Sequence, residues 1–190
     1  MENDCVKLSP LGIKHIEVLE PISNETNLWT YFIENGQGLN RLSDYIKATM
    51  DKRSKNEEYA FVIYDKIKNQ YAGTTRFYSY NQTLKSIKLG HTWIGRNFRG
   101  TYLNKNCKYL LLSFAFEKLI VERVGFGVHS ENKRSLMAMK SIGCTKEGVL
   151  RNFVPSAKTK NRADIVQFSI LSHEWFLYTK KTLQLKLNHN

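Results

Sequence analysis

The segment from Ser86 to Cys144 contains the residues best suited to hold an anionic ligand. A predicted strand leads into the loop 96–101, with the sequence RNFRGT, and the chain continues from there into an amphipathic helix. The start of a helix exposes unpaired backbone N–H groups and the positive end of the helix dipole. A loop that delivers glycine and two arginines to such a start is therefore suited to bind a pyrophosphate.

Positive charge is concentrated around this loop. No Asp or Glu occurs from Lys66 through Phe116, whereas the same tract contains nine Lys or Arg residues, and the whole chain has a formal net charge of +12. This balance favours nucleic acid, acidic protein or phosphorylated small molecules as partners.

The length of 190 residues and the 42% apolar content predict a single packed domain over residues 1–190. Cys5, Cys107 and Cys144 are widely spaced, so they predict neither a disulfide framework nor a zinc site, and the last two are expected to be core residues. The first residues do not resemble a signal peptide, and no window reaches the ~18 to 20 apolar residues of a membrane span. We expect a cytoplasmic protein that makes no membrane contact.

Apolar spacing predicts alternating helices and strands. Helices are predicted at 13–19, 27–33, 39–52, 101–119 and 132–142, with a C-terminal helix or tail at about 172–190. Strands are predicted at 6–8, 59–64, 70–80, 86–94, 123–129, 145–153 and 164–169. The strand, helix and strand between residues 86 and 129 predict one parallel pair, with a ligand crevice at its carboxyl end.

Several short sequences, in a fixed order, carry a family resemblance. They are LGHTWI at 89–94, NFRGT at 97–101, FAFEKL at 114–119, NKRS at 132–135, IGC at 142–144 and EGVLR at 147–151. Together they resemble the GNAT superfamily of acetyl-coenzyme A-dependent N-acetyltransferases, in the branch that includes the acetyltransferases of ribosomal-protein N-termini. The resemblance implies an α/β (α+β) fold: a mixed, mostly antiparallel, twisted sheet of about seven strands flanked by helices, with a V-shaped gap between the fourth and fifth strands.

The resemblance also implies acetyl-coenzyme A as co-substrate and no metal. The pantetheine arm is expected to bind the exposed backbone between the strands at 86–94 and 123–129. The residues assigned to the cofactor are Trp93, Ile94, Asn97, Arg99, Gly100, Thr101, Asn132 and Ser135. These residue types also have structural roles as alternatives: Trp93 and Ile94 could form an ordinary buried strand end, and Asn132 could be a plain helix N-cap.

The loop departs from the family pattern Gln/Arg-x-x-Gly-x-Gly/Ala. When Gly100 is aligned with the first glycine, Asn97 takes the Gln/Arg position and Tyr102 takes the last small position. The bulk of Tyr102 is expected to alter the phosphate path, or the loop register is shifted by one residue.

Two residues are expected to do the chemistry. Family members commonly protonate the leaving thiolate with a Tyr at the position held here by Met139, so Ser135, which resembles the serine of the ribosomal-protein branch, is expected to be the acid. A serine at a helix start also suits a backbone hydrogen bond. His91, with an ordinary pKa of about 6.5, is expected to be the base. Glu147 is an acidic alternative, and an amine that arrives neutral needs no base.

The expected function is transfer of an acetyl group to a primary amine, either a protein N-terminus or a small molecule, by direct attack in a ternary complex of a monomer or homodimer. The charge and the basic loop Lys158–Arg162 leave a nucleic-acid or ribosome-binding module as an alternative. A catalytically degenerate relative that binds coenzyme A is another. The acceptor, the base and the oligomeric state are left open, although the surrounding positive charge favours a neutral or acidic acceptor over a polyamine.

Overall fold

The computed structural model describes residues 1–188 and contains a seven-stranded sheet with the strand order β1-β2-β3-β4-β5-β7-β6. The strands are β1 Val6–Pro10, β2 Glu58–Asp65, β3 Gln70–Asn81, β4 Ser86–Ile94, β5 Arg123–His129, β6 Thr145–Pro155 and β7 Arg162–Leu171. Every neighbouring pair is antiparallel except β4 and β5, which are parallel. The predicted mixed sheet with one parallel pair is confirmed.

Helices cover both faces of the sheet. They are α1 Ile16–Ser23 after a 3-10 turn at Ile13–His15, α2 Leu39–Ser54, α3 Tyr102–Glu117, α4 Lys133–Ser141, α5 Ser172–Glu174 and α6 Lys180–Asn188, the last two joined by a π-helical turn at Trp175–Thr179. Trp93 of β4 contacts Tyr45 of α2, whereas the preceding Thr92 contacts Lys108 of α3. Because successive strand residues point to opposite faces, α2 and α3 lie on opposite sides of the sheet.

The C-terminal helix predicted at 172–190 is present from residue 172 to residue 188. The part of that prediction that covers residues 189 and 190 lies outside the described residues.

The helix predicted at 27–33 is wrong, because that segment consists of turns and bends. Asn27 has a φ of 65°, in the left-handed region, and the Trp29 indole Nε1 donates to the carbonyl oxygen of Ser23 at 2.8 Å. Ile33 is 87% exposed, so the apolar residues here do not form one buried helical face. Local hydrogen bonds and the packing of Trp29 determine this segment instead.

Aromatic side chains fill the core on both faces. Trp93 packs against Trp29 and Tyr45 beneath α2, and Trp175 stacks on Phe116 beneath the C-terminal helices. Trp93 and Trp175 are almost fully buried, and truncating such a side chain to Ala costs about 3 to 5 kcal/mol. These two clusters keep the central strands fixed relative to the helices.

The parallel pair opens along its length. Pairing between β4 and β5 is limited to Ser86 with Arg123, Ile87 with Val124, and Lys88 with Gly125. Beyond Lys88 the two strands diverge, which confirms the predicted V-shaped gap.

A β-bulge shapes the divergent part of β4. The register with β3 shifts between Thr74 and Arg76, and His91 in the shifted segment has a φ of 46°. An extra residue in one strand bends that strand and changes the direction of its side chains. The bulge therefore places His91 beside the gap.

Candidate active site

The open end of the gap is bounded by the loop 96–101 and by the first residues of α3 and α4. Burial lowers the pKa of Arg99, and the positive charges of Arg134, at the start of α4, and Arg96 lower it further. The guanidinium groups of Arg96, Arg99 and Arg134 therefore all contribute positive charge at the open end of the gap. Such a cluster beside two helix starts is suited to bind phosphate groups.

Glu25 holds this loop in place. Its carboxylate accepts hydrogen bonds from the backbone N–H of Arg96 at 2.8 and 2.9 Å, and its Oε2 lies 3.4 Å from Nη2 of Arg99. The Nε of Arg99 donates to the carbonyl oxygen of Ile94 at 2.7 Å. Arg99 is thus held at the end of β4. The sequence analysis missed Glu25, because no local pattern links it to a loop seventy residues later.

The other predicted loop residues also lie at this mouth. Asn97 is exposed and its carbonyl oxygen accepts from Lys68 at 2.9 Å, while Gly100 has a φ of 75°, which favours glycine. The hydroxyl of Thr101 donates to the carbonyl oxygen of Phe98 at 2.8 Å and its oxygen accepts from the N–H of Leu103 at 3.3 Å. Thr101 is therefore the N-cap of α3.

Tyr102 points away from the gap. Its hydroxyl donates to the carboxylate of Asp65, with 2.8 Å to each oxygen, and burial together with this contact raises the pKa of Tyr102 to about 12. Asp65 is the last residue of β2, and β3 and β4 lie between β2 and the gap. The aromatic ring therefore lies away from the open end of the gap.

Asn132 and Ser135 lie at the start of α4, after the end of β5. The side-chain oxygen of Asn132 accepts from the N–H of Ser135 at 3.1 Å, so Asn132 is an N-cap. In residues 1–188 neither the Asn132 amide nitrogen nor the Ser135 hydroxyl has a hydrogen-bond partner. Both groups remain able to donate to a ligand.

Trp93 and Ile94 differ from these residues because their side chains are buried. The indole of Trp93 donates to the hydroxyl of Tyr45 at 3.3 Å, and the Ile94 carbonyl accepts from Arg99. The side chain of Trp93 belongs to the core, so only its backbone is suited to face a ligand in the gap.

His91 contacts a polar cluster on the α2 face. Its ring packs edge-on against Tyr78, with 5.0 Å between centroids, and its Nδ1 lies 3.9 Å from Oε2 of Glu34. Burial lowers the pKa of His91, and the charge of Arg76 lowers it further. The imidazole is therefore neutral near pH 7 and can accept a proton.

Glu34 gave no sequence signal, because it follows directly after the segment 27–33, which was wrongly predicted to be helical, and acts on residues far away in the chain. Its Oε2 is buried without a hydrogen-bond partner in residues 1–188, and it lies 3.6 Å from Nη2 of Arg76. Arg76 is itself held by Glu58, which accepts from Nη1 at 2.6 Å, and by the hydroxyl of Tyr45.

Glu34, Arg76 and Tyr45 line a cavity of about 360 Å³ between α2 and the sheet. Its walls are formed by Glu34, Asn35, Arg41, Asp44, Tyr45, Ala48, Thr49, Lys52 and Arg76. A buried carboxylate oxygen that lacks a donor is suited to accept a hydrogen bond from an amine. The cavity therefore offers an amine both an acceptor and, in His91, a nearby neutral base.

Three other residues considered from the sequence are Glu147, Cys107 and Cys144, and none is suited to catalysis. Glu147 pairs with Arg123 and accepts from the hydroxyl of Ser169 at 2.8 Å, and Arg123 marks the closed end of the gap. Burial raises the pKa of the Cys107 and Cys144 thiols to about 12. These cysteines are therefore neutral and unsuited to act as nucleophiles.

Two further properties concern residues 1–188. They contain no group of three His, Cys, Asp or Glu side chains arranged to hold a metal ion. None of their helices combines the length and the apolar character that crossing a bilayer demands.

Comparisons with known proteins agree with this geometry. The family model of the acetyltransferase (GNAT) domain matches residues 6–145. The "Uncharacterized N-acetyltransferase p20" of Bacillus licheniformis is 28% identical over 133 residues, which cover 70% of this chain and 72% of that protein. The "Putative ribosomal N-acetyltransferase YdaF" of Bacillus subtilis (strain 168) is 25% identical over 158 residues, which cover 81% of this chain and 83% of that protein.

A crystal structure of a GCN5-related N-acetyltransferase from Brucella melitensis is similar to the fold of this chain, with a TM-score of 0.86 and 25% sequence identity. The superposition covers 98% of this chain and 84% of that one.

Proposed function

We propose that this chain, which belongs to the family of GNAT acetyltransferases, transfers the acetyl group of acetyl-coenzyme A to a primary amine. The amine attacks the thioester directly in a ternary complex. The observation that carries the proposal is the gap between β4 and β5, which opens after three residue pairs and ends at two helix starts with three arginines. A thin, extended ligand with phosphates at one end fits that shape.

The cofactor is proposed to bind along the gap. Its phosphates lie against the start of α3 and the guanidinium groups of Arg99 and Arg134, and Asn97, Gly100 and Thr101 shape the loop around them. Its pantetheine arm uses the backbone edge of β4 at Trp93 and Ile94, beside the Ile94 carbonyl oxygen that Arg99 holds, and the amide nitrogen of Asn132. This binding mode brings the thioester to the level of His91.

The acceptor amine is proposed to enter from the cavity beneath α2. Glu34 accepts a hydrogen bond from the neutral amine, whose nitrogen attacks the thioester carbon from the α2 face of the gap. The neutral ring of His91 takes the proton that this nitrogen loses when the amide forms. The hydroxyl of Ser135, which has no partner among residues 1–188, donates a hydrogen bond to the leaving sulfur.

A peptide α-amine is the acceptor we favour. Its ordinary pKa of about 8 leaves far more neutral amine at pH 7 than the side chain of lysine, with about 10.4, so a weak base such as His91 suffices. The similarity to a relative named as a ribosomal N-acetyltransferase supports the same class. Short peptides with a free N-terminus and no lysine are therefore the first acceptors to screen.

Calorimetric titration with acetyl-coenzyme A tests the cofactor site. We expect one-to-one binding that weakens with salt, whereas pantetheine, which lacks the phosphates, should show little salt dependence. Arg134→Ala should weaken acetyl-coenzyme A about tenfold or more by removing a charged hydrogen bond. Arg151→Ala, on the exposed edge strand β6, is the matched control and should bind like the wild type.

Two outcomes would contradict the proposal. Tight binding of a short duplex RNA without binding of acetyl-coenzyme A would favour the nucleic-acid module. Binding of acetyl-coenzyme A without release of free thiol in the presence of any amine would instead indicate a degenerate relative.

A further inference from the structure

Lys108 is a buried cation that the proposed function does not use. It lies in the middle of α3 and is only 3% exposed. Its ammonium group has three N–H donors, and Thr92 Oγ1, at 3.1 Å, is the acceptor that residues 1–188 provide. No carboxylate among those residues lies within salt-bridge distance of it. A buried charge without a counter-charge is costly, so its presence requires a reason.

The titratable groups that face Lys108 leave it without compensation. They are the thiols of Cys107 on its own helix and of Cys144 just after α4, and both are neutral because their pKa is raised to about 12. Burial lowers the pKa of Lys108 itself to about 8. The side chain is therefore mostly protonated at neutral pH, yet it can give up a proton readily.

Lys108 contacts the part of β4 that borders the gap. Thr92 belongs to the divergent part of β4, where no pairing with β5 remains. Cys144, whose N–H bonds to the carbonyl oxygen of Met139, lies at the end of α4 on the other side of the gap. The ammonium group contacts Thr92, whose Oγ1 also lies 2.8 Å from Oγ1 of Thr75, so it lies on the α3 face of the divergent part of β4.

Lys108 and His91 lie on opposite faces of the sheet, beside the divergent part of β4. His91 contacts Glu34 and Tyr78 on the α2 face, and the next residue, Thr92, contacts Lys108 on the α3 face. A thioester in the gap at this level has a neutral base on one side and an ammonium group on the other. The amine side and the leaving-group side of the reaction are thereby separated.

We propose that the ammonium group of Lys108 faces the sulfur of coenzyme A and donates the proton that converts the departing thiolate into a thiol. The inference rests on the proposed function. The neutral amine forms the new C–N bond, the C–S bond breaks with its electron pair passing to sulfur, and Lys108 protonates that sulfur. The surplus proton of the amine passes to His91, and Lys108 recovers a proton from solvent. Ser135 donates a hydrogen bond to the sulfur without losing its own proton.

A binding experiment tests this proposal without an acceptor. The affinities of coenzyme A and acetyl-coenzyme A are measured by calorimetry from about pH 6.5 to about pH 8.5, below and near the ordinary pKa of a thiol. An adjacent ammonium stabilises the thiolate of coenzyme A but has no such effect on acetyl-coenzyme A. The affinity of coenzyme A relative to acetyl-coenzyme A should therefore rise about tenfold over this range in the wild type.

Three variants sharpen the result. Lys108→Met should abolish the rise, whereas Lys118→Met, at the exposed end of the same helix, should retain it. Thr92→Val removes the described acceptor but leaves the ammonium, so it should also retain the rise. With a peptide acceptor, Lys108→Met should lose about a hundredfold in kcat, with a much smaller change in KM for acetyl-coenzyme A.

The outcomes separate the two proposals. A wild-type protein that binds both ligands with a constant affinity ratio overturns the role of Lys108, even if Lys108→Met fails to fold. An unchanged rise in Lys108→Met overturns it as well. Failure of the wild type to bind acetyl-coenzyme A at any pH contradicts the proposed function itself.

Discussion

His91 is positioned by three residues that come from two other parts of the chain. Tyr78 and Arg76 belong to β3, and Glu34 precedes α2. Burial and the charge of Arg76 favour the neutral ring, while the carboxylate of Glu34 opposes them. The protonation of this residue is therefore a balance that single substitutions can shift in a known direction.

The imidazole of His91 should titrate below pH 6.5, its ordinary midpoint. Glu34→Gln removes an anion that favours the imidazolium, so it should lower the midpoint by about half a unit or more. The measurement is an NMR titration of the histidine ring protons, with the His91 signal assigned from the spectrum of His91→Gln. Asp44→Asn, in the same cavity but not among the groups that act on His91, should leave the midpoint unchanged. A midpoint that rises in Glu34→Gln would show that this carboxylate does not act on the ring.

The site could be predicted from the sequence only in part. His91 was a candidate because of its residue type and its place on the strand before the loop, and Asn132 and Ser135 were candidates because of the family resemblance at the start of α4. Glu34 and Glu25 were not, because each acts on a residue far away in the chain. The burial of Lys108 gave no signal either, since a lysine in an amphipathic helix ordinarily lies on the exposed side.

At the scale of elements, the close approach of β3 and β4 depends on Gly73. Its φ is 147°, and a Cβ placed there would lie 2.0 Å from the carbonyl oxygen of Trp93. Trp93 belongs to the divergent part of β4, so any shift of this backbone also moves the edge that faces the gap.

Gly73→Ala should therefore destabilise the protein by about 2 kcal/mol or more, because a backbone clash adds to an unfavourable φ. Gly148→Ala, in β6, is the control, since a Cβ there meets nothing within 4 Å. Urea unfolding gives the free energies, and the affinity for acetyl-coenzyme A gives a second readout. Equal stability of the two variants would mean that β4 can move away from β3 at little cost.

The strands were the elements that the sequence predicted best, because alternating apolar residues and short polar turns are local signals. The helix at 27–33 failed for a physical reason: Trp29 packs on Phe32 and on Tyr45 of α2, whereas Tyr31 packs on His129, so the aromatic residues there do not lie along one face. The gap itself followed only from the family resemblance. Nothing local in β4 or β5 encodes the residue at which their pairing stops.

At the scale of the whole molecule, folding brings carboxylates to a tract that has none. Arg76 pairs with Glu58 and Glu34, Arg99 pairs with Glu25, and all three acids come from the first third of the chain. Lys108 lies in the same tract and is equally buried, but no acid reaches it among residues 1–188. The fold thus neutralises one buried cation and leaves the other charged beside the gap.

Lys108→Met should consequently raise the free energy of unfolding near neutral pH, by about 1 to 3 kcal/mol, because it removes an uncompensated buried charge at similar side-chain volume. The pKa of Lys108 falls from 10.5 in the unfolded chain to about 8 in the fold, so between these values the unfolded chain binds more protons. Wild-type stability due to this group therefore rises with pH across that window. The advantage of the variant should be full below about pH 8 and should shrink as pH approaches about 10.5. The difference in the free energy of unfolding is measured by urea unfolding at several pH values, for the wild type, Lys108→Met and the exposed control Lys118→Met. Comparison with the control removes the contribution of other titrating groups. A variant that is less stable than the wild type by the same amount at every pH would show that Lys108 is a neutral structural bridge to Thr92.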